Sequence, residues 1–193
     1  MKKRTGSIER NTKETKIKID LSLDGGSYNI ATGIGFFDHM LEQIARHGDF
    51  GLTVEAKGDL HVDSHHTIED VGIALGKVLN EAIGDFTNIK RYGTALIPMD
   101  EALVLCAIDC CNRANISIDS HFNVAKVGDM DTDMVVEFFK AVAFNANINI
   151  HILVHRGDNT HHIIEGMFKS FGRALNEAVS VYDKVILSTK GVL

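Results

Sequence analysis

Apolar and polar residues alternate along several segments of the chain, and this period of two predicts half-buried β-strands. The segment 16–23 alternates strictly, with its apolar residues on one face: Ile17, Ile19, Leu21 and Leu23. Further strands are predicted at 52–56, 103–108, 116–118 and 148–154. The turn at 24–27 contains two glycines and predicts a returning strand immediately after it.

Other segments carry apolar residues three and four positions apart, which is the spacing of one face of a helix. Helices are predicted from about 36 to 44, 64 to 83 and 133 to 144, and from near residue 160. The order strand-strand-helix-strand-helix therefore occurs twice. In this alignment the pair Phe138-Phe139 takes the place that Phe36-Phe37 has in the first half.

The two halves also share sequence. The segment His65–Glu69 is matched 96 positions later by His161–Glu165, and Gly76 and Leu79–Ala82 recur at the same offset. We therefore predict an internal duplication with halves of about 1–90 and 91–193 in a single domain. Each half should lay two helices on one face of a small, mostly antiparallel sheet, which is an α+β fold.

Composition narrows the function class. The chain has 193 residues, 45% of them hydrophobic, and a formal net charge of −6, which argues against a nucleic-acid-binding protein. Cys106, Cys110 and Cys111 are a poor disulfide framework and predict reduced, buried thiols. We find no signal peptide, membrane span or Gly-rich phosphate loop. A soluble cytoplasmic enzyme is the expected class.

Each repeated segment carries the pattern His-His-x-x-Glu at a helix start that follows an aspartate, Asp63 or Asp158. Residues three and four apart share a helix face, so the glutamate lies beside both histidines. Imidazole and carboxylate suit zinc, manganese and iron. Adjacent histidines diverge by about 100° around a helix, so one pair does not easily close on one ion. Four histidines and two glutamates suit two sites, and whether these close within one chain or across subunits stays open.

Four separate motifs make the chain resemble the imidazoleglycerol-phosphate dehydratases of histidine biosynthesis. These motifs are Phe37–Leu41, Asp63–Asp70, Asn159–Glu165 and Ser188–Leu193. The resemblance covers nearly the whole chain and implies a duplicated α+β unit of the ribosomal S5 domain 2-like kind. It also implies a homo-oligomeric shell of 24 subunits, with two Mn²⁺ ions in each active site and active sites shared between subunits.

The resemblance further implies two sets of metal ligands. One set is His39, His66, His161 and Glu165. The other set is His65, Glu69, His162 and Glu137. The chain departs from some relatives at Glu137, where they have histidine, but glutamate can also ligate manganese.

Substrate contacts follow from the same resemblance. The implied phosphate contacts, basic residues apart from one serine, are Arg91, Arg113, Lys169, Ser188 and Lys190. Glu14 and Gln43 match positions near the substrate glycerol. No role is assigned to Asp100, Glu101 or His47, although His47 follows His39 by two helical turns.

The implied reaction removes water from imidazole glycerol phosphate and gives imidazole acetol phosphate. The proton to be removed is bound to carbon with no carbonyl beside it, so the imidazole must accept the electrons. As a hypothesis, each ring nitrogen of the substrate meets one Mn²⁺ ion, and Glu165 and Glu14 transfer protons. Two alternatives are a binuclear metallohydrolase acting on a phosphorylated small molecule and a metal-binding shell without catalysis. Binuclear hydrolases usually have bridging aspartates, and none is repeated among these ligands.

Overall fold

The computed structural model describes residues 3–182. The first half contains β1 (Thr5–Asn11), β2 (Thr15–Ser22), β3 (Tyr28–Ala31), α1 (Gly35–Gly48), β4 (Gly51–Gly58) and α2 (His65–Ile83). The second half contains β5 (Tyr92–Met99), β6 (Ala102–Asp109), β7 (Asn115–Asp119), β8 (Lys126–Val127), β9 (Met130–Asp131), α3 (Met134–Ala146), β10 (Asn149–Arg156) and α4 (Thr160–Val179).

Each half forms a four-stranded sheet with the same topology. The strand orders are β1-β2-β4-β3 and β5-β6-β10-β7, and the last strand of each sheet runs parallel to its neighbour while the other pairs are antiparallel. The predicted α+β fold with a duplicated, mostly antiparallel unit is confirmed. The strand expected to return after the turn at 24–27 exists, but it pairs with β4 because β1 and β4 occupy both edges of β2.

The edge strands β1 and β5 were not predicted, and the reason is a glycine on the inward face of each. A Cβ atom on Gly6 would collide with the carbonyl of Val78, and one on Gly93 would collide with the carbonyl of Ala174. These glycines let α2 and α4 lie directly against the strands. Because the inward position carries no side chain, the apolar alternation that identifies a strand is weak there.

The helices pack in pairs across the two halves. α2 lies on α3 and α1 lies on α4, and buried residues of both halves form one hydrophobic core. The ring centroid of Phe138 is 5.3 Å from that of Phe37 and 5.3 Å from that of Phe168, distances that favour aromatic attraction. This pairing brings the start of α4 to the first half of the chain.

The outward faces of the two sheets differ in character at equivalent positions. On the first sheet the row Glu9, Lys18 and Glu55 runs across three strands in direct register, and all three residues are exposed. The equivalent row on the second sheet is Leu96, Leu105 and Leu153, also in direct register. Leu96 is 52% exposed and Leu153 is 36% exposed. This row is therefore charged on the first sheet and apolar on the second.

Two expectations from composition can be compared with the structure. Cys106, Cys110 and Cys111 are buried free thiols, as predicted. Within residues 3–182, no helix is both long enough and apolar enough to cross a membrane.

Candidate metal and substrate site

The packing of α1 on α4 brings together three side chains that can ligate a metal. Ligand atoms of His39, His161 and Glu165 all lie within 4.8 Å of one another, and no other such group of three occurs in residues 3–182. Glu165 Oε2 is 3.1 Å from His161 Nε2 and 3.6 Å from His39 Nε2. His161 and Glu165 share one face of α4 because they are four residues apart.

Glu165 remains a carboxylate although it is only 6% exposed. Burial by itself raises the pKa of Glu165, but Lys169 and His161 outweigh it and hold the pKa below its usual value. Lys169 Nζ lies 2.5 Å from Oε1, so the two carboxylate oxygens face different partners. Gln43 contacts His39, with Nε2 3.4 Å from the His39 backbone oxygen. The Glu165 carboxylate therefore lies between the Lys169 ammonium group and two imidazoles.

A second, looser group lies between α2 and α3. His65 Nε2 is 3.5 Å from Glu69 Oε2. Glu137 lines the same small cavity as Glu69, together with Lys140, and Glu137 Oε2 is 3.5 Å from Lys140 Nζ. In this group the predicted ligands lie on adjacent helices.

The internal repeat explains why Glu137 stands where it does. α1 and α3 both end at a left-handed residue, Asp49 and Asn147, and alignment on these ends places His39 opposite Glu137. Every buried residue of α1 then coincides with a buried residue of α3, and only Met134 of α3 lacks a buried counterpart. The two groups are thus equivalent half-sites. One consists of His39, His161 and Glu165, and the other consists of Glu137, His65 and Glu69.

This alignment corrects the one predicted from the two phenylalanine pairs. Phe138-Phe139 matches Met40-Leu41, one helical turn beyond Phe36-Phe37. All four positions 40, 41, 138 and 139 are fully buried. The aromatic residues were misleading because core positions are constrained in size and apolarity rather than in residue type.

The second histidine of each pair has a partner outside its own helix. His66 Nδ1 is 3.0 Å from Asp59 Oδ2, and His162 Nδ1 is 2.7 Å from Glu101 Oε2. These hydrogen bonds raise the pKa of both imidazoles. The hydrogen bond from His162, followed by that from the Asn159 amide, lowers the pKa of Glu101 to about 2.

The first histidine of each pair is held by a side chain two residues before it. The His65 amide donates to Asp63 Oδ1 at 2.8 Å, and the His161 amide donates to Asn159 Oδ1 at 2.9 Å. The residue equivalent to Asp63 is therefore Asn159, which directly follows the aspartate noted in the sequence, Asp158. Aspartate and asparagine both satisfy exposed amides at a helix start.

Neither predicted ligand set is complete within residues 3–182 of one chain. His66 does not join the group formed by His39, His161 and Glu165. His162, the predicted fourth ligand of the other set, lies at the start of α4 beside Glu101. Each half-site thus contains three of its four predicted ligands, and the chain's own copy of the fourth, His66 or His162, lies elsewhere.

Arg91 and Arg113 lie far from the group around Glu165. The Arg91 amide donates to the carbonyl of Ala178 near the end of α4, and helical rise puts that point about 25 Å from His161. The Arg91 guanidinium binds Asp109 at 2.7 Å and 3.1 Å. The backbone amide of Cys110, three residues before Arg113, donates to the Arg91 carbonyl. Arg113 therefore lies at the same end of the molecule as Arg91. Of the predicted phosphate contacts, only Lys169 lies at the group itself, and Ser188 and Lys190 fall outside the described residues.

Glu14 lies on the turn between β1 and β2, exposed, with Oε2 3.9 Å from His66 Nδ1. Asp70 fixes the two ends of this turn. It is buried and accepts hydrogen bonds from Thr15 Oγ1 at 2.5 Å and Arg10 Nη2 at 2.8 Å. Sequence reasoning gave Asp70 no role. It follows Glu69 directly, and no spacing rule connects it with a turn 55 residues earlier.

His47 and Asp59 were also left without a role. His47 lines a cavity with Arg46 and Arg173, and burial, followed by Lys169 and Arg173, lowers the pKa of His47. Asp59 lies in the segment after β4, seven residues before His66. An isolated loop carboxylate gives no sequence signal, so Asp59 could be found only from the fold.

Comparison with known proteins identifies the family. Residues 32–175 match the family model described as imidazoleglycerol-phosphate dehydratase. The chain is 55% identical over 193 residues to the imidazoleglycerol-phosphate dehydratase of Ruminiclostridium cellulolyticum, covering 98% of this chain and 100% of that protein. It is 54% identical over 192 residues to that of Clostridium acetobutylicum, covering 98% of each.

Solved structures agree. The crystal structure of imidazoleglycerol-phosphate dehydratase from Staphylococcus aureus matches with a TM-score of 0.84 and 41% identity, covering 92% of this chain and 99% of that one. The structure of the Pyrococcus furiosus protein in complex with (S)-C348 matches with a TM-score of 0.85 and 36% identity, covering 96% and 100%. The chain belongs to the imidazoleglycerol-phosphate dehydratase family, a family of hydro-lyases.

Proposed function

We propose that this chain dehydrates imidazole glycerol phosphate to imidazole acetol phosphate in histidine biosynthesis, using two Mn²⁺ ions at sites shared between subunits. The observation that carries the proposal is the pair of equivalent half-sites. Each consists of a histidine and a glutamate four residues apart on one helix, plus one further ligand from the helix packed against it. These ligands are His161, Glu165 and His39 in one half-site and His65, Glu69 and Glu137 in the other.

The donor atoms fit a divalent ion of the manganese or zinc type. Imidazole nitrogen and carboxylate oxygen are the ligands that these ions prefer, and Glu165 stays anionic in a buried position. Its Oε2 faces both histidines. These residues would hold a divalent ion, which would supply Lewis acidity towards the substrate imidazole. His66 and His162 of other subunits would complete the two ligand sets.

The chain's own side chains provide the remaining functions. Lys169 is held beside Glu165, and its ammonium group would meet a phosphate oxygen of the substrate there. Arg91 and Arg113 would reach the same phosphate from another subunit, since they lie at the far end of α4.

Glu14 is the better candidate for proton transfer. Glu165 has both carboxylate oxygens facing other groups, Lys169 on one side and the two histidines on the other. Glu14 is exposed on a turn that Asp70 holds in place, and it lies close to His66. A free carboxylate in a fixed position is what a general acid or base requires.

Sharing of sites requires assembly, and the outer face of the second sheet supports it. Leu96, Leu105 and Leu153 form a continuous apolar row where the first sheet has charged residues. An exposed apolar patch of this kind marks an interaction surface. We propose that it packs against other copies of the chain, in the shell of 24 subunits that the family resemblance implies.

The test is metal content per chain together with dehydratase activity before and after chelation. We expect about two Mn²⁺ ions per chain, with activity lost on chelation and restored by Mn²⁺. A fully active protein with one ion or none would overturn the two-ion proposal. Release of inorganic phosphate without loss of water from the same substrate would instead identify a metallohydrolase.

A further inference from the structure

The two histidines of each pair use different ring nitrogens. The first histidine turns Nε2 towards the glutamate of its own helix, as in His161 with Glu165 at 3.1 Å. The second turns Nδ1 towards a carboxylate from outside the helix. Both oxygens of Asp59 lie at 3.0 Å and 3.2 Å from His66 Nδ1, and Glu101 Oε2 lies at 2.7 Å from His162 Nδ1.

The nitrogen that contacts the carboxylate decides where a neutral imidazole carries its proton. A carboxylate accepts hydrogen bonds only, so Nδ1 must donate and the lone pair is left on Nε2. We propose that Asp59 and Glu101 are positioning residues that hold the Nδ1–H tautomer of His66 and His162, so that Nε2 is presented as a metal ligand. This inference rests on the proposed function, because it assigns a role to carboxylates behind proposed ligands.

The same contact arises twice from positions that are not equivalent in the repeat. Glu101 immediately precedes β6, and its counterpart before β2 is Glu14. Asp59 immediately follows β4, and its counterpart after β10 is Gly157. Copying by duplication cannot produce an identical contact from different elements. A common requirement at the second histidine explains both. Glu14 Oε2 lies 3.9 Å from His66 Nδ1, beyond hydrogen-bond distance, whereas Glu101 is hydrogen-bonded to His162.

The hydrogen bonds of Glu101 make one substitution a direct test. Glu101 Oε1 accepts from the amides of Asn159 at 2.7 Å and Asp158 at 3.2 Å, while Oε2 faces His162. In Glu101→Gln the amide oxygen stays with the two backbone donors, and the NH₂ group faces His162 Nδ1. That NH₂ group can only donate, so Nδ1 must accept and the proton moves to Nε2. The substitution keeps shape and the helix start but reverses the tautomer.

The experiment is a Mn²⁺ titration of metal-free protein, with free Mn²⁺ followed by electron paramagnetic resonance. We expect wild type to bind two ions per chain, and Glu101→Gln to bind one of them about 10- to 100-fold more weakly. The matched control is Asp100→Asn, because Asp100 is exposed and lies 3.6 Å from His162 Nε2. Asp100→Asn removes the same charge beside His162 without changing the partner of Nδ1. Its effect on Mn²⁺ affinity therefore measures the charge alone, and Glu101→Gln should weaken binding more than Asp100→Asn does.

A double-variant cycle separates positioning from a structural role. If Glu101 acts through His162, the variant with both Glu101→Gln and His162→Ala should bind Mn²⁺ no more weakly than His162→Ala alone. Additive losses, or wild-type affinity in Glu101→Gln, would overturn the inference while leaving the two-metal proposal intact. A wild-type protein that takes up no Mn²⁺ would instead overturn the proposed function, and this inference with it. Should Glu101→Gln not fold, Asp59→Ala is titrated in its place, and an unchanged affinity there is the refuting result.

Discussion

Replacing Lys169 with methionine removes the cation that neutralises the buried carboxylate of Glu165. Lys169 Nζ lies 2.5 Å from Glu165 Oε1, and the two side chains are 17% and 8% exposed. Removing one partner of a buried ion pair costs about 3–5 kcal/mol, since the other charge is left without compensation. We expect the free energy of unfolding to fall by about 3 kcal/mol, the lower end of this range, because two histidines remain beside the carboxylate. Methionine retains most of the apolar stem, so the loss of packing is small.

The assay is urea unfolding of metal-free protein at one fixed chain concentration, because assembly makes stability depend on concentration. The matched control is Lys140→Met on α3. Lys140 is paired with Glu137 at 3.5 Å, but its side chain is 54% exposed, and such surface pairs contribute about 1 kcal/mol or less. Saturating Mn²⁺ should then reduce the difference in the free energy of unfolding between wild type and Lys169→Met, since a divalent ion at Glu165 replaces the missing positive charge.

Two results would refute this reasoning. A loss below about 1 kcal/mol in the metal-free protein would mean that Glu165 needs no neutralising partner. An unchanged difference in the free energy of unfolding in the presence of Mn²⁺ would mean that the ion does not bind at Glu165. The first result would contradict the electrostatic argument, and the second would contradict the proposed location of the metal.

Three further predictions test separate parts of the molecule. Glu14→Gln should keep the metal content but lower kcat by about 10²- to 10⁴-fold if Glu14 transfers a proton, and full turnover would exclude that role. Leu105→Glu should reduce assembly, measured by sedimentation velocity, whereas Lys18→Glu at the equivalent position of the first sheet should not. Asp24→Asn should lower the free energy of unfolding by about 1 kcal/mol or less near neutral pH. Hydrogen bonds from Arg4 hold the pKa of Asp24 below 3.8, so this contribution is present above pH 3.8 and is lost as the pH falls through the folded-state pKa. Urea unfolding of both proteins at about pH 7 and about pH 3 should therefore give a smaller difference at the lower pH.

The sequence predicts those strands and helices whose inward face is lined by apolar side chains at a regular spacing. Alternation identified β2 because its inward face is lined by large apolar residues, and a continuous apolar run at 103–108 identified β6. Alternation missed β1 and β5 because the closest approach of strand to helix there requires Gly6 and Gly93. The repeated histidine segment placed the starts of α2 and α4 within one residue. The order of strands in each sheet could not follow, since no local pattern states that β3 pairs with β4.

The candidate site was predictable where its residues lie in motifs and not where the fold brings distant residues together. The family resemblance named candidate ligands for both half-sites, and the structure brings three of them, His39, His161 and Glu165, together. Asp59 and Asp70 act from positions that no motif spacing connects with their partners. Glu101 stands in a motif, but its contact with His162 depends on the packing of the β5–β6 turn against the start of α4.

The geometry of an adjacent histidine pair explains why a duplicated chain of this kind should need other copies of itself. Successive side chains on a helix point about 100° apart, so when His161 faces its own half-site, His162 must face another direction. The same holds for His65 and His66. Each chain therefore presents two groups of three proposed ligands and two histidines, His66 and His162, that face away from the group on their own helix. The proposed ligand sets are complete only when chains exchange these histidines. If the ions bind across subunits, assembly and metal binding are coupled, and the coupling is reciprocal. Mn²⁺ should strengthen assembly by the same free energy by which assembly strengthens Mn²⁺ binding.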